Sequence, residues 1–410
     1  MKESCEYRGY VNKMLQYSLT EVAYYRSNRN LFQSKGNDGE PYFNISNFPA
    51  LGMESIHTFY GDFIADPYHK FPRSQNVFIK RAFEAGGNMF KMIWDRDDYA
   101  EMSDSLSKIR QELYGIGPND RFCSFYTALY RANKILDVDT TQLMGSGNNM
   151  IFNVFNLNQD KLKMICQTMN DYDPQWLLLQ PSIALLLAEF IRTNNIKLPQ
   201  KLKYIELQGE MVDASVRKEV EDAFGVTTAY TYTTSTVGTA AMECPCKNMH
   251  VIEDNAIIEV LKDGVPVLGE EGDVCVTGLK NHAMPIIRYF TGEKGILHNG
   301  ECACGNKAPI IKITKGKTFP ILHLKDGSKL SAYSLQGAIE FTNEFLSNAI
   351  KSMEVIQRDA NAFEARIELK PAYTGWKKAV MKEFKSNIRE DTLKQAKWEV
   401  FFADGTAESV

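Results

Sequence analysis

Half of the chain's eight cysteines fall in two short pairs, Cys244-Pro-Cys246 and Cys302-Ala-Cys304, and His250 follows the first pair closely. Thiolates and imidazole in two such groups are the ligand set of tetrahedral zinc, which takes four of them. Five candidates compete for four places, so Cys244 and Cys246 are alternatives, and the rival reading is free surface thiols. Every ligand would be a protein group, so the site would be structural rather than catalytic. Cys5, Cys123, Cys166 and Cys275 stand alone; Cys275 lies in the apolar run DVCVTGL, where a buried thiol is expected.

Two further stretches carry polar chemistry. Gly209-Glu210-Met211 follows an apolar run, and after a helical stretch comes Tyr232-Thr233-Thr234-Ser235-Thr236. A hydroxyl-dense loop after a strand can donate to phosphate oxygens and a tyrosine can stack a base, but threonine-rich runs also make ordinary strands. In MPIIRYFTGE an apolar run ends in Arg288 and Glu293, which fits either a functional pair or a surface salt bridge.

These residues need elements to hold them. A chain of 410 residues, 44 % hydrophobic and 24 % charged, is a globular protein of two or three domains. The net charge of −4 gives no global footprint for nucleic acid. The start MKESCEYRGY does not read as a signal peptide, and the longest apolar run, within PSIALLLAEFIR, is too short to span a bilayer. The reading is of a cytoplasmic protein without membrane or nucleic-acid partners. The first eighty residues read as aromatic-rich and irregular. From Asp97 to about residue 240 helical and strand-like runs alternate: helices over Asp97–Tyr114, Gln159–Met169, Ser182–Thr193 and Asp213–Phe224, strands over Arg121–Tyr126, Trp176–Leu179, Leu202–Leu207 and Val226–Tyr232. That alternation predicts a mostly parallel α/β sheet. Residues 250–315 change to apolar–polar alternation around Asp-Gly and Gly-Glu turns, an antiparallel pattern. Residues 318–410 look like a strand–helix–strand–helix–strand module.

Taken in order, GEM, FG, the tyrosine–hydroxyl loop, ECPC…HVIED, MPIIRYFTGE, CACG and ITKGK resemble the phenylacetate–CoA ligase branch of the adenylate-forming enzymes. YGIGPNDR and QPSIALLLAEF extend the likeness to roughly residues 75–340. The resemblance implies an α/β fold: a large N-terminal domain over 1–314, with mostly parallel sheets and a small antiparallel β subdomain carrying the zinc site at about 240–314, and a smaller mobile α+β domain over 315–410, hinged within Thr314–Thr318. It implies a carboxylate that attacks the α-phosphate of ATP with Mg2+, then passes as an acyl group to a thiol, usually of coenzyme A, or to an amine or carrier protein. Gly209 and Glu210 would border the adenine, Tyr232 would stack on it, Thr233, Thr234 and Ser235 would face phosphate or acid, and Glu293 would hold the ribose. Lys317 takes the place of a hinge-region basic residue. Tyr126, Tyr130 and Ser146, in polar and aromatic segments, would line a pocket for a small aryl or amino acid.

Three positions depart from that pattern. The phosphate loop reads Phe83-Glu84-Ala85-Gly86-Gly87-Asn88-Met89-Phe90-Lys91, keeping Gly87 and Lys91 but no hydroxyls. Thr236 stands where the metal-binding glutamate is expected, a weak ligand for Mg2+. The final WEVFFADGTAESV holds no lysine or arginine where a catalytic lysine is expected. The same residues therefore also admit ATP-independent acyl transfer, or a non-catalytic pseudo-ligase that binds a small acid or partner.

Overall fold

In the computed structural model the chain divides into two compact units, Met1–Ala82, Phe90–Pro118 and Ala229–Gly316 in the first, Phe83–Met89, Asn119–Thr228 and Lys317–Val410 in the second. Described residues are 5–35, 41–69, 76–83, 89–126, 142–144, 148–154, 157–325, 329–333, 349–360, 362–388, 397–403 and 407–409, with scattered positions between 327 and 347. Residue 87 of the expected phosphate loop and positions 130 and 146 of the expected pocket lie outside them.

In the second unit, Tyr204–Gln208, Trp176–Leu179, Phe122–Tyr126, Asn149–Asn153 and Gln142–Met144 neighbour one another in that order. All these pairs are parallel except the last, as the alternating runs predict. Helix Pro181–Asn194 opens on a proline, whose missing N–H costs nothing at a first helical position, and buries nine of its fourteen residues. Helix Ala214–Phe224 is started by Asp213, which accepts the Ser215 N–H at 2.7 Å, and stopped by Gly225 at φ 66°. Strand–helix–strand units of this kind leave their polar loops at the carboxyl ends of the strands, where Gln180 and Gly209–Glu210 sit.

Further along the second unit, Ile350–Asp359, Ala362–Leu369, Lys397–Phe402 and Ala407–Ser409 form a four-stranded sheet. Its one parallel pair, Ala362–Leu369 with Lys397–Phe402, is bridged by helix Lys377–Asn387. Trp398 stacks on Phe363 and meets Phe384 edge-on, joining sheet to helix. Ile350–Asp359 and Ala362–Leu369 pair with each other as an antiparallel hairpin.

In the first unit the strands from Gly238–Glu243 through Met249–Val251, Ile310–Lys315, Tyr289–His298, Glu271–Gly278 and Ala256–Lys262 pair antiparallel, as read. The N-terminal stretch is more regular than its sequence suggests: Cys5–Glu21 is a helix that buries Met14, Leu15 and Leu19. Arg288 is no surface pair. It sits at φ 54° and 5 % exposure, forks onto Glu259 at 3.0 and 3.2 Å, and donates to the carbonyls of Ser46 and Phe48. No helix among the described residues is long and apolar enough to cross a membrane.

Candidate functional site

The cysteine–histidine group is the best-defined chemistry of the first unit. Cys244 directly follows the buried strand Gly238–Glu243, and its N–H and C=O pair with Asn248 and Lys247 to close a tight turn through Lys247 at φ 63°. That turn returns the chain to Met249–Val251, which carries His250. Opposite, Cys302 accepts the Gly305 N–H at 2.9 Å in a second turn whose φ of 84° suits only glycine. One ligand atom each from Cys244, His250, Cys302 and Cys304 lies within 4.8 Å of the others. Cys246, at the exposed tip of the first turn, is outside the group.

The distances suit a tetrahedral ion. Zinc bonds of about 2.3 Å to sulfur and about 2.0 Å to nitrogen set neighbouring ligands roughly 3.8 Å (S–S) and 3.6 Å (S–N) apart. Cys244 Sγ lies 3.6 Å from Cys302 Sγ, and Cys304 Sγ 3.4 Å from His250 Nε2. His250 Nδ1 is 3.1 Å from the Ala308 carbonyl; donation there fixes the tautomer and leaves Nε2 as a lone-pair donor. Asn248 Nδ2 donates to Cys302 Sγ at 3.2 Å, an orienting residue the sequence reading did not single out although it sits between the two ligands. Backbone hydrogen bonding around Cys304 draws the Cys302 thiol down, towards the thiolate a metal takes.

The hydroxyl-rich segment is a hairpin, Thr227–Thr234 with Gly238–Glu243. Thr233 Oγ1 pairs with Thr239 Oγ1 at 3.1 Å, and Thr234 Oγ1 with the buried Thr236 Oγ1 at 2.9 Å. Ser235, between them, is half-buried. Tyr232 is 2 % exposed, and its hydroxyl donates to the Glu293 carboxylate. Burial, then the Glu293 charge, push that hydroxyl's pKa well up, so it stays a donor. The expected stacking face is therefore packed rather than open here, and Tyr232 and Glu293 hold each other. Lys91, on strand Met89–Asp95, has an exposed side chain, and its carbonyl accepts the Tyr60 hydroxyl at 2.6 Å.

In the second unit Gly209 takes φ 80°, and a Cβ there would meet Gln180 Cγ at 3.9 Å, so backbone conformation and not crowding asks for glycine. Glu210 is buried, with Ser182 Oγ donating to it at 2.7 Å; desolvation pushes its carboxyl up to about 7. The Met211 N–H donates to the Lys317 carbonyl at 2.7 Å, while Lys317 Nζ lies 4.6 Å from the Phe319 ring centroid. Tyr126, half-buried at the end of its strand, accepts the Val154 N–H through its carbonyl. Apart from the cysteine–histidine group, the described residues bring no three His, Cys, Asp or Glu together as metal ligands.

No protein-family profile matches the chain. Phenylacetate–coenzyme A ligase of Thermus thermophilus is 30 % identical over 164 residues, which is 38 % of this chain and 37 % of that one. The chain thus aligns with under two fifths of that relative's length. Among solved structures, 2-hydroxyisobutyryl-CoA ligase with 2-HIB-AMP and CoA in its thioesterification state superposes with a TM-score of 0.61 at 16 % identity. The same ligase in its postadenylation state with 2-HIB-AMP gives 0.60 at 17 %. Both alignments cover 99 % of this chain and 88 % of the other. The fold is shared with 2-hydroxyisobutyryl-CoA ligase.

Proposed function

We propose that this chain, built on the adenylate-forming fold, is a carboxylate-activating ligase. The carboxylate of a small acid, aryl or amino-bearing, attacks the α-phosphorus of ATP; the bond to the β-phosphate oxygen breaks, and pyrophosphate leaves. A thiol, coenzyme A by preference, then attacks the acyl carbon of the acyl-adenylate and AMP departs, the thiol proton passing to solvent. The observation that carries the reading is the 164-residue likeness to phenylacetate–coenzyme A ligase on a chain with that fold along nearly its whole length.

The roles are assigned within each unit. In the first, the Lys91 ammonium is exposed to carry phosphate charge. The half-buried Thr233, Thr234 and Ser235 supply hydroxyl donors for phosphate or acid oxygens, with Thr236 fixing Thr234. Glu293, whose carboxylate accepts the Tyr232 hydroxyl, is the acceptor assigned to the ribose hydroxyls. In the second unit Gly209 supplies the close backbone approach and Tyr126 a pocket wall, while the Glu210 carboxylate is engaged elsewhere. Preorganised donors and a cation at a developing phosphate charge supply much of such a rate. With one lysine and no glutamate at Thr236, the expected adenylation is slow, and Mg2+ enters with the nucleotide phosphates rather than as a resident ion.

Cys244, His250, Cys302 and Cys304 hold one structural Zn2+, which ties the strand end at Cys244 to the 302–305 turn. Residues 315–410 are read as a mobile C-terminal domain hinged within Thr314–Thr318. The test of the ligase reading is ATP-dependent pyrophosphate release over a panel of small aryl and amino acids. At least one acid should give release above the no-acid control; acyl transfer without ATP, or neither activity, would replace the reading with the transferase or pseudo-ligase.

A further inference from the structure

The contacts around Glu210 join three stretches of the second unit that are far apart in sequence. Its carboxylate is 3 % exposed and accepts Ser182 Oγ at 2.7 Å, with the backbone N–H groups of Ser182 and Phe319 also directed at it. Gln180, at the N-cap of helix Pro181–Asn194, gives no side-chain cap, so Glu210 serves as that helix's cap from outside. Ser182 Oγ also lies 2.7 Å from Ser331 Oγ, which accepts the Tyr333 N–H at 3.1 Å. Ser182 has one hydroxyl proton and gives it to Glu210, so Ser331 must be the donor in the next link. The relay runs one way, Ser331 to Ser182 to Glu210. Beside it, Met211 N–H holds the Lys317 carbonyl, and Lys329 Nζ pairs with Glu189 Oε1 at 2.5 Å on the same helix.

We propose that Glu210 is a catch: it docks the segment Lys317–Ser331 on the Gly209–Met211 loop and on the start of helix Pro181–Asn194, and its opening releases that segment. The contacts it gathers reach the segment at Phe319 and, through Ser182, at Ser331. A surface glutamate of a loop would have no reason to be buried at the meeting point of three elements. Burying a carboxylate is unfavourable unless its hydrogen bonds are made, so these groups hold together or part together.

The same geometry makes the catch sensitive to protons. Burial pushes the Glu210 carboxyl up to about 7 from its ordinary 4.5, against the opposing pull of Ser182, the Lys317 ammonium and the Phe319 N–H. Lys317 is the charged group acting on it; Glu189 and Lys329, further along the helix and strand, neutralise each other. If release exposes the carboxyl, the docked state binds the proton more tightly than the released one. Low pH then favours docking and a rise from about 4.5 to about 7 favours release, by at most about 300-fold for a shift of that size.

Hydrogen–deuterium exchange of the full-length chain tests this. Exchange in peptides covering 317–333, corrected for the intrinsic rate, is compared between pH 5.5 and pH 8. In the unaltered chain protection should be lower at pH 8 than at pH 5.5, the loss falling mostly between pH 5.5 and 7. Glu210→Gln should remove that dependence, and Ser331→Ala should speed exchange of the segment about 5- to 10-fold, with the strands 176–179 and 204–208 unchanged. Should Glu210→Gln not fold, Ser182→Ala breaks the same relay without altering a charge and should speed exchange likewise. Exchange in Ser331→Ala or Ser182→Ala equal to that of the unaltered chain, or a pH dependence that survives in Glu210→Gln, would overturn the proposal.

Discussion

Glu210→Gln should make the protein less sensitive to alkali. The carboxyl is raised from 4.5 to about 7 in the folded chain, chiefly by burial. The sign is opposite to that of a salt-bridged carboxylate. Below about 4.5 the folded and unfolded chains both hold the proton and the group is silent. Between 4.5 and 7 the unfolded chain releases a proton that the folded chain retains, so stability falls as pH rises across that window. The full loss is about 3 kcal/mol at 1.36 kcal/mol per unit, and about 2 kcal/mol of it falls between pH 5.5 and 8. Denaturant melts of both proteins at these two pH values give four stabilities, and the difference of differences cancels every other titrating group. It should be about 2 kcal/mol in favour of the glutamine variant at the higher pH. A value within about 0.5 kcal/mol of zero, the error of such cycles, or one of opposite sign, would show that the carboxyl is not buried as described.

Elemental analysis should find about one zinc per chain, lost in Cys302→Ser together with stability, and retained in Cys246→Ser, because only Cys244 of that pair joins the group. Less than about a tenth of an equivalent under non-chelating conditions would remove the zinc reading. Arg288→Ala should destabilise by about 3–5 kcal/mol in thermal or denaturant melts, since it leaves Glu259 buried without its partner and two carbonyls without donors. Lys91→Ala should abolish pyrophosphate release while leaving the melting temperature within a degree or so, as its side chain is exposed.

The parallel strands and their helices were legible because period, proline start and glycine stop agree: Pro181 opens a helix, Gly225 ends one, and WLLL fills a buried strand. The antiparallel region was legible from its turns. Helix Cys5–Glu21 was not, because its aromatic and polar residues mask a stripe whose clearest members are Met14, Leu15 and Leu19. The metal group was legible as two cysteine pairs, but the choice of Cys244 over Cys246 depends on a turn at Lys247 that faces one thiol inward and leaves the other out. Arg288 and Glu293, five residues apart in the motif, go to different partners, Glu259 and Tyr232: Arg288 precedes the strand at φ 54°, and Gly292 at φ 79° interrupts the strand's alternation before Glu293. The Ser182–Ser331 contact spans 149 residues, and no local pattern encodes it.

Calorimetric titration with ATP and Mg2+ tests the central claim most directly, because it asks for nucleotide binding before any acid or acceptor is known. The ligase reading predicts saturable binding of one nucleotide per chain, weakened in Lys91→Ala. No heat of binding up to millimolar nucleotide, in a chain that melts cooperatively, would contradict it.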